Sequence, residues 1–177
     1  MATPPDFTAG QVLTAAHMNA VGLWLVKSQT VGSGVSSVTV SNAFSADYDN
    51  YRVTYTGGTG TTLQAFRFRL GASTTQYYFA LPYSSWNNTP LASGGSNQNG
   101  FNLAGIGGPN FVNINLDVFG PYSTQYTRIS GPYVGDGEAG YTSCIHKVSA
   151  SFTDFVIEAS IGTITGGTIC VYGYNNG

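Results

Sequence analysis

Asn110-Phe-Val-Asn-Ile-Asn-Leu-Asp-Val-Phe119 is the stretch on which the fold turns. Val112, Ile114, Leu116 and Val118 occupy every second position, with Asn113, Asn115 and Asp117 between them. A period of two sends the first set to one face of a strand and the second to the other. Apolar side chains opposed to amides and a carboxylate mark one face as core and the other as solvent-facing.

The same alternation spreads outward from this strand. Phe66, Phe68 and Leu70 alternate with Ala65, Arg67 and Arg69, and Tyr51, Val53 and Tyr55 with Arg52, Thr54 and Thr56. Further strands are expected at Trp24–Val31, Val35–Val40 and Gln76–Pro82, and near 125–130, 141–150, 153–160 and 167–174. Turn-rich segments separate them at Ala43–Asn50, Gly57–Gly60, Gly135–Gly140 and Gly162–Gly167. Ser84–Gly100, rich in Asn, Ser and Gly around Trp86, reads as the longest loop. About ten short strands without interleaved helices predict an all-β chain, an antiparallel β-sandwich of jelly-roll type.

Phe7–Leu25 breaks the pattern. Thr14 is a good helix N-cap, and Met18, Val21 and Leu25 recur at helical spacing behind it. This predicts a short helix within an N-terminal arm, residues 1–25, ahead of a β body at 26–177. Such an arm is either a lid on its own core or an anchor inserted into another protein.

Only 8% of the 177 residues are charged, whereas soluble domains carry about 25%. The 24 glycines and the 14% aromatic content suit a sheet protein with many turns and a neutral polar surface. A net charge of −2 and six scattered basic residues exclude a phosphate-tracking groove, so nucleic acid is not an expected partner. No stretch stays apolar for the roughly 18 residues of a membrane helix, so insertion is not expected either. The first residues have neither the basic region nor the apolar core of a secretory signal. Cys144 and Cys170, the two cysteines, read as small hydrophobes in separate strands, with a single bridge as the alternative.

Catalytic patterns are sparse. His17 and His146 are the two histidines, and no Gly-x-Ser-x-Gly elbow accompanies them. Cys144 and His146 share a strand face, but a zinc site would need Cys170 and His17 from far away, so the core reading is preferred. Asp47-Tyr-Asp49 resembles a cation-holding Asp-x-Asp pair and equally fits a turn closed by Asx-type bonds, which is the preferred reading. Gly135-Asp-Gly-Glu-Ala-Gly140 matches a dinucleotide fingerprint formally, yet a strand and not a helix follows it. No catalytic residue, cofactor or metal is expected.

Aromatic side chains amid neutral polar ones are the stronger candidates. Tyr83, Trp86, Asn87 and Asn88 combine ring faces for sugar C–H groups with amide hydrogen bonds, the chemistry of glycan contact. Tyr122, Tyr126 and Tyr133 lie in later connections. The competing reading for all of them is packing under loops or against a neighbouring subunit.

Three pieces carry a family resemblance. Phe7-Thr-Ala-Gly-Gln-Val-Leu-Thr-Ala-Ala-His-Met-Asn19 resembles the N-terminal signature of small virion proteins of tailed bacteriophages. Phe44-Ser-Ala-Asp-Tyr-Asp-Asn-Tyr-Arg-Val53 is similar to the turn and strand that follow it there, and Val171-Tyr-Gly-Tyr174 to the closing strand. The resemblance implies a virion component of tail-fibre, head-fibre or decoration type. With no collagen-like or heptad shaft, a compact knob or capsid decoration protein is favoured over a long fibre. The expected partners are other virion proteins in a homotrimer, with Phe7, Val12, Leu13 and Met18 as the apolar anchors of the arm. A host-glycan adhesin is the alternative, and a polysaccharide depolymerase a remote one, since paired carboxylates in a long groove are not apparent.

Overall fold

In the computed structural model the described residues are Gly10, Val12 and residues 22–174. The expected helix, with anchors Phe7, Leu13 and Met18, lies outside them. Leu25 does not belong to a helical stripe: it sits in the first strand, which opens at Leu23. Among the described residues all regular structure is β, every pairing is antiparallel, and no helix could cross a membrane.

In order, the strands are β1 (Leu23–Thr30), β2 (Ser37–Val40), β3 (Asn50–Thr56), β4 (Thr59–Gly60), β5 (Gln64–Leu70), β6 (Tyr77–Ser85) and β7 (Pro90–Gln98). Then come β8 (Phe101–Gly108), β9 (Phe111–Phe119), β10 (Thr127–Val134), β11 (Glu138–His146), β12 (Phe155–Ala159), β13 (Ile164–Thr165) and β14 (Thr168–Tyr174). The stretch Ser84–Gly100 is therefore not a loop. It is most of a hairpin, with β6 and β7 paired from Tyr77↔Gln98 to Ser84↔Pro90. Its polar, Gly-rich composition belongs to an edge strand, which has few apolar neighbours to meet.

Strand β9 is the pivot. One edge carries β3, from Asn50↔Phe119 to Tyr55↔Ile114, and β14 and β1 follow beyond it. The other edge is shared: β8 pairs with residues 111–113, and β10 with residues 117–119. From that split one arm runs β8-β5-β12-β2 and the other β10-β11-β6-β7.

Glycine makes the split possible. A Cβ on Gly105 of β8 would stand 2.4 Å from the Asn113 carbonyl oxygen, and one on Gly131 of β10 only 2.0 Å from that of Asn115. Both strands thus press onto the β9 backbone where one ladder ends and the other begins.

The inner faces share one core. Phe66, Phe68, Leu70, Val112, Ile114, Leu116 and Val118 are buried, as the alternation predicts, and Phe155 of β12 is buried with them. Rings bridge the branches of the sheet: Tyr55 of β3 lies 6.2 Å from Phe66 of β5, and Phe79 of β6, across the two arms, lies 5.9 Å from Phe101 of β8. The Tyr77 hydroxyl accepts the Leu70 amide at 2.8 Å, tying β6 to the end of β5. On the outer side of the β8-β5-β12-β2 arm, Arg67 and Arg69 both reach Glu158, at 3.2 and 2.8 Å.

Candidate interaction surface

The hairpin turn holds three of the four glycan candidates. The Asn88 amide donates to the Ser85 carbonyl at 2.9 Å, and Asn88 itself has φ +63°. That is a tight turn followed by a left-handed residue, where asparagine is tolerated. The Trp86 amide donates to Gly137 at 3.0 Å and its indole N–H to the Asp136 carbonyl at 2.7 Å. These bonds pin the β6–β7 turn to the β10–β11 turn while 59% of Trp86 stays exposed. Tyr83 does not join this group. Strand parity turns it inward, half-buried against Leu81, Ile106 and Tyr133. Tyr133 is buried as well.

The potential chemical groups are absorbed by the core and the turns. His146 is fully buried, stacked 4.2 Å from Tyr77 with Nε2 2.8 Å from the Ser73 hydroxyl. Burial holds its pKa below the usual imidazole range. Burial also pushes the Cys144 thiol up to about 12. Cys144 and His146 do share the inner face of β11, but no metal-binding cluster occurs among the described residues, and both cysteines are free. The Asp47 carboxylate accepts the Ser45 hydroxyl at 2.9 Å, as a turn residue does. The Gly-rich stretch at 135–140 ends inside β11, whose first residue is Glu138.

His146 makes stability sensitive to mild acid. The unfolded chain takes up a proton near the ordinary imidazole pKa of about 6.5, whereas the native ring resists it. Its contribution is therefore complete above that pH and is lost as pH falls toward the depressed native value. Urea midpoints should drop between neutral pH and about pH 5, and drop less in His146→Gln. Parallel pH profiles for the two proteins would remove His146 as the cause.

A second surface, missed by the sequence reading, lies on the outer face of the β10-β11-β6-β7 arm, where it meets β9. Strand register lines up Phe119, Arg128, Ile145 and Tyr78 as successive cross-strand neighbours on β9, β10, β11 and β6. The next outward-facing row is Asp117, Ser130, Ser143 and Ala80. Tall side chains in one row beside short ones in the next make a trough of about 780 Å³. Two smaller hollows of about 620 and 390 Å³ adjoin it, and Arg128 lines all three. Tyr122 lines one and Tyr126 the other, both substantially exposed. Lys147 sits 4.2 Å over the Tyr78 ring.

No protein-family model matches the chain, and no curated protein matches it in sequence. Solved structures give distant likenesses. One is the structure of infectious bursal disease virus Gx strain, with 9% identity over 86% of this chain and a TM-score of 0.18. Another is the VP2 subviral particle of the same virus, with 10% identity over 84% and a TM-score of 0.16. The chain spans about 40% of the length of each.

Proposed function

We propose that the chain is a non-enzymatic structural protein of a tailed-bacteriophage virion, of compact capsid-decoration, head-fibre or tail-fibre type. The observation that carries this reading is the apolar surface of a sparsely charged β body. Leu25, Leu63, Trp86, Tyr141 and Ile161 are each more than half exposed, in a chain with six basic and eight acidic residues. Such a surface suits contact with other chains better than life as a free monomer.

The sheet edges support it. Among the described residues β1 and β7 pair on one side only, and β7 carries no charge along its nine residues. An uncharged open edge such as β7 invites pairing with another chain, which suits a homotrimer seated among capsid or tail proteins. The two arms are read as a β-sandwich of jelly-roll type. The resemblance at Phe7–Asn19, Phe44–Val53 and Val171–Tyr174 supports a place in the virion, assembled in the host cytoplasm. Residues 1–25 would supply the anchor through Phe7, Val12, Leu13 and Met18.

The test is truncation. Removing residues 1–21 stops short of β1 and keeps the Leu23↔Tyr174 pairing. The shortened protein should retain β-type circular dichroism and cooperative unfolding, yet be absent from purified particles that incorporate the full chain. Incorporation at the normal level would overturn the anchoring role. A second reading, contact with a host-surface glycan, is favoured by the exposed Trp86 indole and its neighbours Asn87 and Asn88.

A further inference from the structure

We propose that the trough around Arg128 binds an acidic saccharide, with the guanidinium taking a sugar carboxylate. This goes beyond the glycan-contact reading by naming a different site and a substrate class, and it does not depend on the anchoring arm.

The first argument is the state of Arg128. The other three arginines each have an acid within ion-pair distance: Arg52 with Asp117, and Arg67 and Arg69 with Glu158. Among the described residues Arg128 has neither an ion pair nor a hydrogen bond from its side chain. It stands exposed where three hollows meet. Its neighbours in the row are Phe119 and Ile145, both apolar, so an anion bound there would be only partly solvated. A planar guanidinium matches a carboxylate in two-pronged fashion. Asp49 lines the adjoining hollow, and Asp117, the cross-strand partner of Ser130, already accepts the Tyr174 hydroxyl and faces Arg52, so the anion would sit on the Ser143 side of Arg128.

The second argument is the rest of the lining. Ser130 and Ser143 offer hydroxyls that both donate and accept, as sugar hydroxyls do. Phe119, 37% exposed, and Tyr126, 48% exposed, add aromatic surface on which the apolar side of a pyranose could stack. Contiguous open hollows suit a chain of several rings better than one enclosed small molecule. Arg128 and Lys147 alone are too few cations to follow a nucleic-acid backbone.

The experiment is calorimetric titration with a galacturonic acid tetrasaccharide, its carboxyl-reduced neutral counterpart and a short polyglutamate peptide. The acidic sugar should bind. Carboxyl reduction or Arg128→Gln should each weaken binding about tenfold or more, the loss expected when one charge-assisted hydrogen-bonded contact goes. Arg128→Lys keeps the charge without the planar fork and should fall between. Lys27→Gln should bind as the parent does. Because Arg128 points outward without a side-chain partner among the described residues, Arg128→Gln should keep the parent's urea midpoint and its incorporation into particles. Any of these results overturns the proposal: no binding of the acidic sugar, equal binding of the neutral sugar or the peptide, full binding by Arg128→Gln, or loss of binding in Trp86→Ala instead. A changed oligomeric state of Arg128→Gln in sedimentation would also overturn it, by making the trough a subunit contact. None of these outcomes bears on the truncation result, so either reading can fail alone.

Discussion

Phe155→Ala will lower the unfolding free energy by about 3–5 kcal/mol, a large share of the roughly 5–15 kcal/mol that holds a domain folded. Phe155 is fully buried on β12, between β2 and β5, with Val40 and Leu70 as its strand partners. Its ring stacks on Phe68 at 4.8 Å and 16°, and Phe44 lies 5.6 Å away. Truncation removes both the transfer energy of the ring and its contacts, and the cavity opens between two strands held by ladder bonds, which cannot collapse into it. Phe155→Leu, which refills part of the volume, should cost markedly less. Leu91→Ala on the exposed edge strand should stay within about 0.5 kcal/mol. Urea unfolding at constant m-value reads all three. Equal losses for Phe155→Ala and Leu91→Ala would mean that β12 does not cover the core.

Much of this fold is written in local alternation. Val112 to Val118 and Phe66 to Leu70 announce both the strand and its buried face, because each pairs a branched or aromatic inner set with a polar outer one. Alternation fails where a strand is not half-buried. Pro90–Gln98 lies on an edge with almost nothing to bury, so its sequence looks like loop. Phe101–Gly108 fails for the opposite reason. It is buried nearly throughout, and its glycines record the close approach of β9, which no neighbour in sequence betrays.

The candidate surfaces divide the same way. Trp86 and Asn88 stand out by residue type and do share a turn. Tyr83 lies close to them in sequence, but parity along β6 turns it to the core. Arg128 carried no local mark at all. Its placement beside Phe119 and Ile145 is a matter of register among three strands, and register is set by turns and core packing together.

That register yields the second large effect: Gly131→Ala should destabilise the chain by about 3 kcal/mol or more, at or beyond the upper range for overpacking. The added Cβ would stand 2.0 Å from the Asn115 carbonyl oxygen, 3.1 Å from its carbon and 3.2 Å from the Leu116 Cα. All three are backbone atoms, so no rotamer change relieves the clash. Strand β10 would have to lift from β9 beside the Ile129↔Val118 pair, taking β11, β6 and β7 with it. Gly137→Ala is the matched control. A Cβ there meets nothing within 4 Å and its φ is not in the left-handed region, so the change should be neutral or gain up to about 1 kcal/mol from a stiffer unfolded chain. The comparison also reaches function. Gly131 is the residue after Ser130, and the β10 segment that it holds against β9 carries Arg128. A Gly131→Ala protein that still folds should lose saccharide binding together with stability. Were it as stable as Gly137→Ala, β10 could not lie against β9 at Asn115, and the row that sets Arg128 between Phe119 and Ile145 would fall with it.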